Sequence, residues 1–153
     1  MNLTEHERVD ARTIAWLGYG GLLPFAGLAV LVSLEPSRAA FWSLALIAYG
    51  AVILSFVGAL HWAFAMLLPG LSAGQRRYRY VWSTAPALVG WIGLLLPPIT
   101  GSIVLMLGFI AHLLHDRHLV QHTTLPVWYW PLRLRLTLGA CLALGAGAMG
   151  LVI

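Results

Sequence analysis

The residues from Phe41 to Leu68 read FWSLALIAYGAVILSFVGALHWAFAMLL, and they include no Asp, Glu, Lys or Arg. A helix that crosses a bilayer needs about 20 apolar residues, so this stretch is longer than a crossing requires. It lacks the period-2 alternation of a membrane strand. The stretch therefore predicts a transmembrane helix that tilts or projects beyond the bilayer.

The rest of the chain has the same composition. Of its 153 residues, 60% are hydrophobic and 9% are charged, whereas a soluble domain carries roughly 25% charged residues. A soluble core of this size could not bury so much apolar surface, so lipid must cover the remainder. The predicted fold class is all-α: a polytopic integral membrane protein built as a bundle of five transmembrane helices. The predicted spans cover about 14–34, 41–68, 80–96, 99–115 and 132–153.

The amino-terminal residues 1–13 are predicted to be a tail. Their charges are mixed and the apolar run that follows is about 20 residues, which does not fit a cleaved signal peptide. With five spans, eight of the nine arginines lie on the amino-terminal side, and Arg38 lies on the other. The eight are Arg8, Arg12, Arg76, Arg77, Arg79, Arg117, Arg133 and Arg135. The positive-inside rule then predicts a multi-pass protein of the inner (plasma) membrane, with a cytoplasmic amino terminus and an external carboxyl terminus.

Expected partners follow from the same features. The arginines flank apolar segments instead of forming a tract, so we expect a lipid bilayer and no nucleic acid. In the fifth segment, Gly139, Ala143 and Gly147 recur at a spacing of four, which lets helices approach closely in lipid. This face predicts a homo-oligomer or a partner membrane protein. The single cysteine, Cys141, is interpreted as a small packed residue.

His61 is a polar residue inside the second segment. Gly50, Ala51, Gly58 and Ala65 share its helical face, and a face of small residues is predicted to point into the bundle. A polar side chain at membrane depth suggests a functional site. A neutral imidazole that bonds a neighbouring helix is the structural alternative.

The fourth segment ends in a second polar group. His112, His115 and Asp116 fall on one helix face, a pattern that could bind a metal or relay protons. The alternative is a hydrated helix end. His118 and His122 are predicted to lie beyond the helix.

These polar residues are predicted to share one depth near the cytoplasmic side, together with Ser83, Thr84 and Thr137. Asp116 and Arg133 would be a natural ion pair there; the alternative for Arg133 and Arg135 is snorkelling to phosphates. We expect a cytoplasm-facing polar pocket. Its predicted residues are His61, Trp62, His112, His115, Asp116, Trp128, Tyr129 and Arg133.

No motif predicts a catalytic residue. The leading interpretation is a non-enzymatic binding, scaffold or small transport component. One alternative is a redox membrane protein, with His61 and His112 ligating a b-type haem or His61, His112, His115 and Asp116 holding a metal. Another alternative is a proton-coupled carrier.

Several motifs resemble one family along most of the chain from Ala15 to Thr137. They are Leu17-Gly-Tyr-Gly-Gly-Leu-Leu-Pro-Phe25, Tyr49-Gly50, Ser55-Phe56 with Gly58 to Trp62, and Pro126 to Tyr129 followed by Leu132-Arg133. The chain resembles the five-helix membrane proteins of unknown function that include transmembrane protein 69. The resemblance implies an integral membrane protein and assigns no residue a role.

Overall fold

The computed structural model describes residues 5–123 and 125–152, with side chains from residue 11 onward. Over these ranges the chain forms α-helices and no strand, with a 3-10 turn at Pro36–Arg38. The helices are α1 (Glu5–Gly20), α2 (Leu22–Leu34), α3 (Ala39–Leu67), α4 (Ala73–Leu95), α5 (Pro98–His122) and α6 (Tyr129–Met149). The all-α membrane bundle predicted from the sequence is confirmed.

Four of the described helical segments are long and apolar enough to cross a membrane. They are Ala11–Leu34, Pro36–Leu67, Pro98–His122 and Tyr129–Met149. The helix α4 is not among them, because its first turns carry Arg76, Arg77 and Arg79. Its 23 residues still extend for about 34 Å at 1.5 Å per residue. The helix α4 is therefore as long as the four candidate spans require, and it completes the bundle beside them.

The helix α3 lies at the centre of the bundle and contacts α2, α4, α5 and α6. Among the described residues, by contrast, α1 packs on α2 and α6 alone, and α4 on α3 and α5 alone. Phe25, Leu54 and Leu105 are buried in the core between these helices. Large apolar side chains such as Val52 and Leu107 cover the outside, as contact with a lipid bilayer requires.

Two helices extend beyond the predicted apolar segments. At the start of α4, Ser72 Oγ accepts from Gln75 N at 3.2 Å while Ser72 N donates to Gln75 Oε1 at 2.9 Å. This capping box starts the helix at Ala73 although the apolar run begins later. At its carboxyl end, α5 continues to His122. The expectation that His118 and His122 lie beyond the helix is therefore wrong. Hydropathy marks the part of a helix in lipid, whereas hydrogen bonding and caps decide where it ends.

The first predicted span is one helical segment, Ala11–Leu34, with a one-residue interruption at Gly21. The chain is already helical at Glu5, within the predicted tail, and a break at Gly21 separates α1 from α2. The Gly21 carbonyl accepts a hydrogen bond from Tyr49 Oη at 2.9 Å, which ties the break to α3. Residues 1–4 of the predicted tail, and Ile153 at the end of the fifth predicted span, lie outside the described residues.

The small-residue face of α6 packs inside the bundle. A Cβ atom at Gly139 would meet Leu22 Cδ1 of α2 at 2.7 Å. Gly147 lies against Leu46 of α3. The close approach predicted from this spacing therefore occurs between helices of one chain, because these glycines face α2 and α3 and not the lipid.

Candidate functional site

Close packing of α3 and α4 places His61 in the interior. One turn before His61, Gly58 lies so near Pro86 of α4 that a Cβ would meet its Cβ at 2.7 Å. The imidazole of His61 is fully buried. As predicted from the sequence, the small-residue face of α3 points into the bundle. It directs His61 toward α5 and α6.

Asp116 of α5 connects three helices. Its Oδ1 accepts a hydrogen bond from His61 Nε2 of α3 at 2.9 Å, and its Oδ2 accepts from Arg133 Nε of α6 at 2.7 Å. Asp116 is fully buried and Arg133 is 6% exposed. The structure therefore contains the predicted ion pair, and Arg133 does not snorkel. Arg135 lies at the bundle surface, where it is exposed and donates a hydrogen bond to Tyr19 Oη at 3.4 Å.

A tryptophan determines the protonation of His112. Trp82 Nε1 of α4 lies 3.2 Å from His112 Nδ1, and an indole N–H can only donate. Nδ1 must therefore accept, so His112 is a neutral imidazole with its proton on Nε2. Nε2 is 3.9 Å from Asp116 Oδ1, beyond hydrogen-bond distance. We refer to His61, His112, Asp116 and Arg133 as the polar cluster.

His115 lies at the edge of the polar cluster. Its half-buried ring stacks on Trp82 with centroids 4.3 Å apart and lies 4.8 Å from the His61 ring. Trp82 therefore supports two histidines of α5 at once. Sequence reasoning missed Trp82. Its depth at the start of α4 was the available signal, but only the helix rotation makes it a hydrogen-bond donor to His112.

The three candidate ligand atoms of a metal site lie together, but those of His61 and Asp116 are hydrogen-bonded to each other and that of His112 is protonated. One ligand atom each from His61, His112 and Asp116 all lie within 4.8 Å of one another. The lone pair of His112 accepts from Trp82, so Nε2 carries a proton and cannot ligate. Both Asp116 oxygens already accept hydrogen bonds, one of them from a cationic guanidinium. The donor set fits an internal hydrogen-bond network and does not fit a metal ion.

A haem does not fit between the two histidines either. The His61 and His112 rings are 5.0 Å apart at an interplanar angle of 79°. Asp116 lies against both rings, so no space separates them for a porphyrin. The redox alternative based on this pair therefore has no geometric support.

The other predicted pocket residues divide between two places. Trp62 is 51% exposed and packs on Tyr80 with ring centroids 5.0 Å apart, away from the polar cluster. Trp128 and Tyr129 instead line a cavity together with Arg133. Trp62 thus lies on the outer surface because it follows His61 by one residue, a rotation of about 100° around the helix.

This cavity has a volume of about 660 Å³ and lies between α1, α2, α3, α5 and α6. Its walls are mostly aliphatic and aromatic, and Tyr129, Arg133 and Thr137 supply a polar edge at a spacing of four along α6. Arg133 Nη2 and Thr137 Oγ1 are buried and have no hydrogen-bond partner in the described part of the chain, whereas the Tyr129 hydroxyl interacts with the Asp116–Arg133 pair. Arg133 and Thr137 therefore bring buried polar groups to the margin of an apolar cavity.

Sequence reasoning missed two features of this region. Thr137 was noted for its depth and not for the cavity, although it follows Arg133 by one helical turn. Arg79 was interpreted as a flanking arginine, but it is 6% exposed and its Nε has no partner among the described residues. Neither burial can be derived from hydropathy, because both depend on which helix packs alongside.

Apolar helices around a buried polar cluster define a small polytopic α-helical membrane protein. The chain belongs to the family described as Protein of unknown function (DUF3429), whose model matches residues 11–149. It is similar to Transmembrane protein 69 of Xenopus tropicalis, with 35% identity over 131 residues that make up 84% of this chain and 51% of the relative. The chain spans about half the length of this curated relative. No solved structure matches. The predicted family resemblance is confirmed.

Proposed function

We propose that this protein is a non-enzymatic binding protein of the inner (plasma) membrane that holds a small membrane-soluble molecule in the cavity beside the polar cluster. The observation that carries the proposal is an apolar cavity of about 660 Å³ whose lining includes the polar residues Tyr129, Arg133 and Thr137. Ligand sites are typically about 300–1,000 Å³, mostly apolar, with a few convergent polar groups.

The polar cluster supports a binding role over a catalytic one. The carboxylate of Asp116 is occupied on both oxygens, and His112 has its lone pair engaged by Trp82. His61 Nδ1 and His112 Nε2 have no hydrogen-bond partner among the described residues, but His61, His112 and Asp116 are not among the residues that line the cavity, so the titratable groups of the cluster do not face a molecule bound there. Through its Nε bond to Asp116, the guanidinium of Arg133 is held in place, and its side chain lines the cavity. We infer that the cluster positions Arg133 for the ligand.

Filling the cavity should expel the ligand. Thr137→Phe places a ring into the cavity, whereas Leu138→Phe adds the same group on the neighbouring face, where Leu138 is 53% exposed. Native mass spectrometry of gently purified protein should show one retained small molecule per chain in the wild type and in Leu138→Phe. We expect it to be absent in Thr137→Phe.

Leu132→Trp provides a second cavity-filling variant if Thr137→Phe does not fold, because Leu132 lines the same cavity. Thermal unfolding of each variant identifies the folded ones. Retention of the molecule by folded cavity-filling variants, or a wild-type spectrum without any adduct, would overturn the proposal.

Membrane orientation is also part of this proposal, and the arginine distribution supports it. In a Cys141→Ala background, Ser37→Cys should react with an impermeant maleimide in intact cells. Ala73→Cys should react only after the membrane is opened. The two positions lie at opposite ends of α3 and are exposed. Labelling of Ala73→Cys from outside would reverse the proposed orientation.

The carrier and scaffold alternatives make different predictions. A proton-coupled carrier would show pH-dependent flux that Asp116→Asn alters, since Asp116 is the buried carboxylate of the cluster. A scaffold would retain partner proteins whether or not the cavity is filled. Co-purification from Thr137→Phe and wild-type membranes, compared side by side, separates a scaffold from the binding role.

A further inference from the structure

Arg79 of α4 is a buried cation that belongs neither to the polar cluster nor to the cavity. The residue is 6% exposed, and none of the residues that line the cavity belongs to α4. Its Nε is enclosed and has no hydrogen-bond partner among the described residues. The two Nη atoms, which have no partner there either, are not among the enclosed atoms, so the outer end of the guanidinium remains accessible.

The described side chains offer Arg79 no free carboxylate. They include two, Glu35 and Asp116. Both oxygens of Asp116 already accept hydrogen bonds. Glu35 accepts from Trp42 at 3.0 Å at the other end of α3, whose 29 residues span about 43 Å. The other three acidic residues of the chain belong to α1, whose described contacts are with α2 and α6.

The groups around Arg79 add positive charge or none. Arg76, one helical turn earlier on the same face, is half-buried, and Arg77 is exposed. From α5, His115 interacts electrostatically with Arg79, and its ring lies 5.3 Å from that of Tyr78, a phenol that is neutral at physiological pH. The last turn of α3 carries no charged residue. A buried cation without a counter-charge is costly, so this end of the bundle favours an anion from outside the chain.

The level of Arg79 along α4 favours a phosphate as that anion. The capping box at Ser72 lies two turns before Arg79, and the apolar part of the helix begins directly after it at Tyr80. Tyr78, Tyr80 and Trp82 are aromatic residues of the kind that mark the headgroup level of a bilayer. A guanidinium donates paired hydrogen bonds to phosphate oxygens, and basic pockets between membrane helices bind phosphate headgroups.

We propose that Arg79 binds a phosphate group between the start of α4 and the end of α5. The Nη atoms donate to its oxygens, and Arg76 adds positive charge one turn away. Two sources offer this chemistry: the headgroup of an anionic phospholipid and soluble inorganic phosphate. The inference is independent of the proposed binding function, because Arg79 lies outside the cavity.

The test uses the full chain in nanodiscs with equal amounts of phosphatidylglycerol and phosphatidylcholine of different mass. Native mass spectrometry identifies the lipid that stays bound after gentle release. We expect one phosphatidylglycerol on each wild-type chain, and a preference for it about tenfold lower in Arg79→Gln, the effect of a lost charge-assisted hydrogen bond. Arg77→Gln is the matched control, since it removes the same charge at an exposed position and should leave the preference unchanged.

Arg79→Lys provides a second variant if Arg79→Gln does not fold. It keeps the charge but loses the paired donors of the guanidinium, so the preference should fall about threefold. Thermal unfolding identifies the folded variants. An unchanged preference in every folded variant of Arg79, or an equal loss in Arg77→Gln, would overturn the proposal, because the second result describes a general attraction to the charged surface.

A second arm tests soluble phosphate. In nanodiscs of phosphatidylcholine alone, sodium phosphate is compared with sodium chloride at equal ionic strength. A rise in Tm that occurs in Arg77→Gln but not in Arg79→Gln, without a preference for phosphatidylglycerol, supports the phosphate site with a soluble source. If the wild type shows neither the lipid preference nor the rise in Tm, the phosphate site is wrong. The cavity proposal is then still judged by the molecule that Thr137→Phe expels.

Discussion

Asp116→Asn should lower the free energy of unfolding by roughly 3–5 kcal/mol, as expected when one partner of a buried ion pair is removed. The substitution keeps the shape of Asp116 but leaves Arg133 uncompensated at 6% exposure. The new amide oxygen can accept from Arg133 Nε, which lies 2.7 Å from Asp116 Oδ2, but the NH₂ group then faces His61 Nε2, which lies 2.9 Å from Asp116 Oδ1. His61 must therefore carry its proton on Nδ1 so that Nε2 can accept, and Arg133 loses its charged hydrogen-bond acceptor.

Arg133→Gln should cost a similar amount, since it leaves the Asp116 carboxylate without its counter-charge. The double variant removes both charges and should lose clearly less than the sum of the single losses. Steric trapping or unfolding in a mixed detergent gives the three free energies. Additive losses would show that Asp116 and Arg133 do not interact in the folded protein. Arg135→Gln is the control, because Arg135 is exposed and its combination with Asp116→Asn should be additive.

Gly101→Ala should lower the free energy of unfolding by about 1–3 kcal/mol, the usual cost of an overpacked interior. Gly101 of α5 lies directly against the backbone carbonyl of Gly93 in α4, and its Cβ would also lie 3.6 Å from Ile47 Cδ1. A backbone carbonyl cannot rotate away as a flexible side chain can. The two helices of this hairpin are joined only by Leu96 and Pro97, so they have little freedom to separate.

Gly27→Ala gives the matching control, since nothing lies within 4 Å of a Cβ at Gly27 in α2. The intrinsic helix preference of Ala over Gly favours both variants by up to about 1 kcal/mol. The difference between the two therefore isolates the steric effect at Gly101. Equal stability of Gly101→Ala and Gly27→Ala would contradict the observed approach of α4 to α5.

The sequence predicted much of the polar cluster from depth alone. His61, His112 and Asp116 were assigned to one level because the apolar runs fix where each residue lies along its helix. The Asp116–Arg133 pair followed, since a buried charge needs a partner. Trp62 was included incorrectly in the same group, because its depth is right but its helical face points outward. Depth comes from position in the sequence, whereas direction also depends on how each helix is rotated.

The sequence by itself determined that this protein is a bundle of membrane helices. Segment length and hydropathy are local properties, and the cost of unsatisfied backbone groups in lipid leaves helices as the outcome. The tertiary structure decided which groups meet. The hydrogen bonds of Asp116 span 55 residues to His61 and 17 residues to Arg133, and the neutral state of His112 depends on Trp82, 30 residues away. The cavity likewise exists only because five helices pack around it. Such contacts depend on the rotation and close approach of whole helices, which side-chain packing fixes and no single segment encodes.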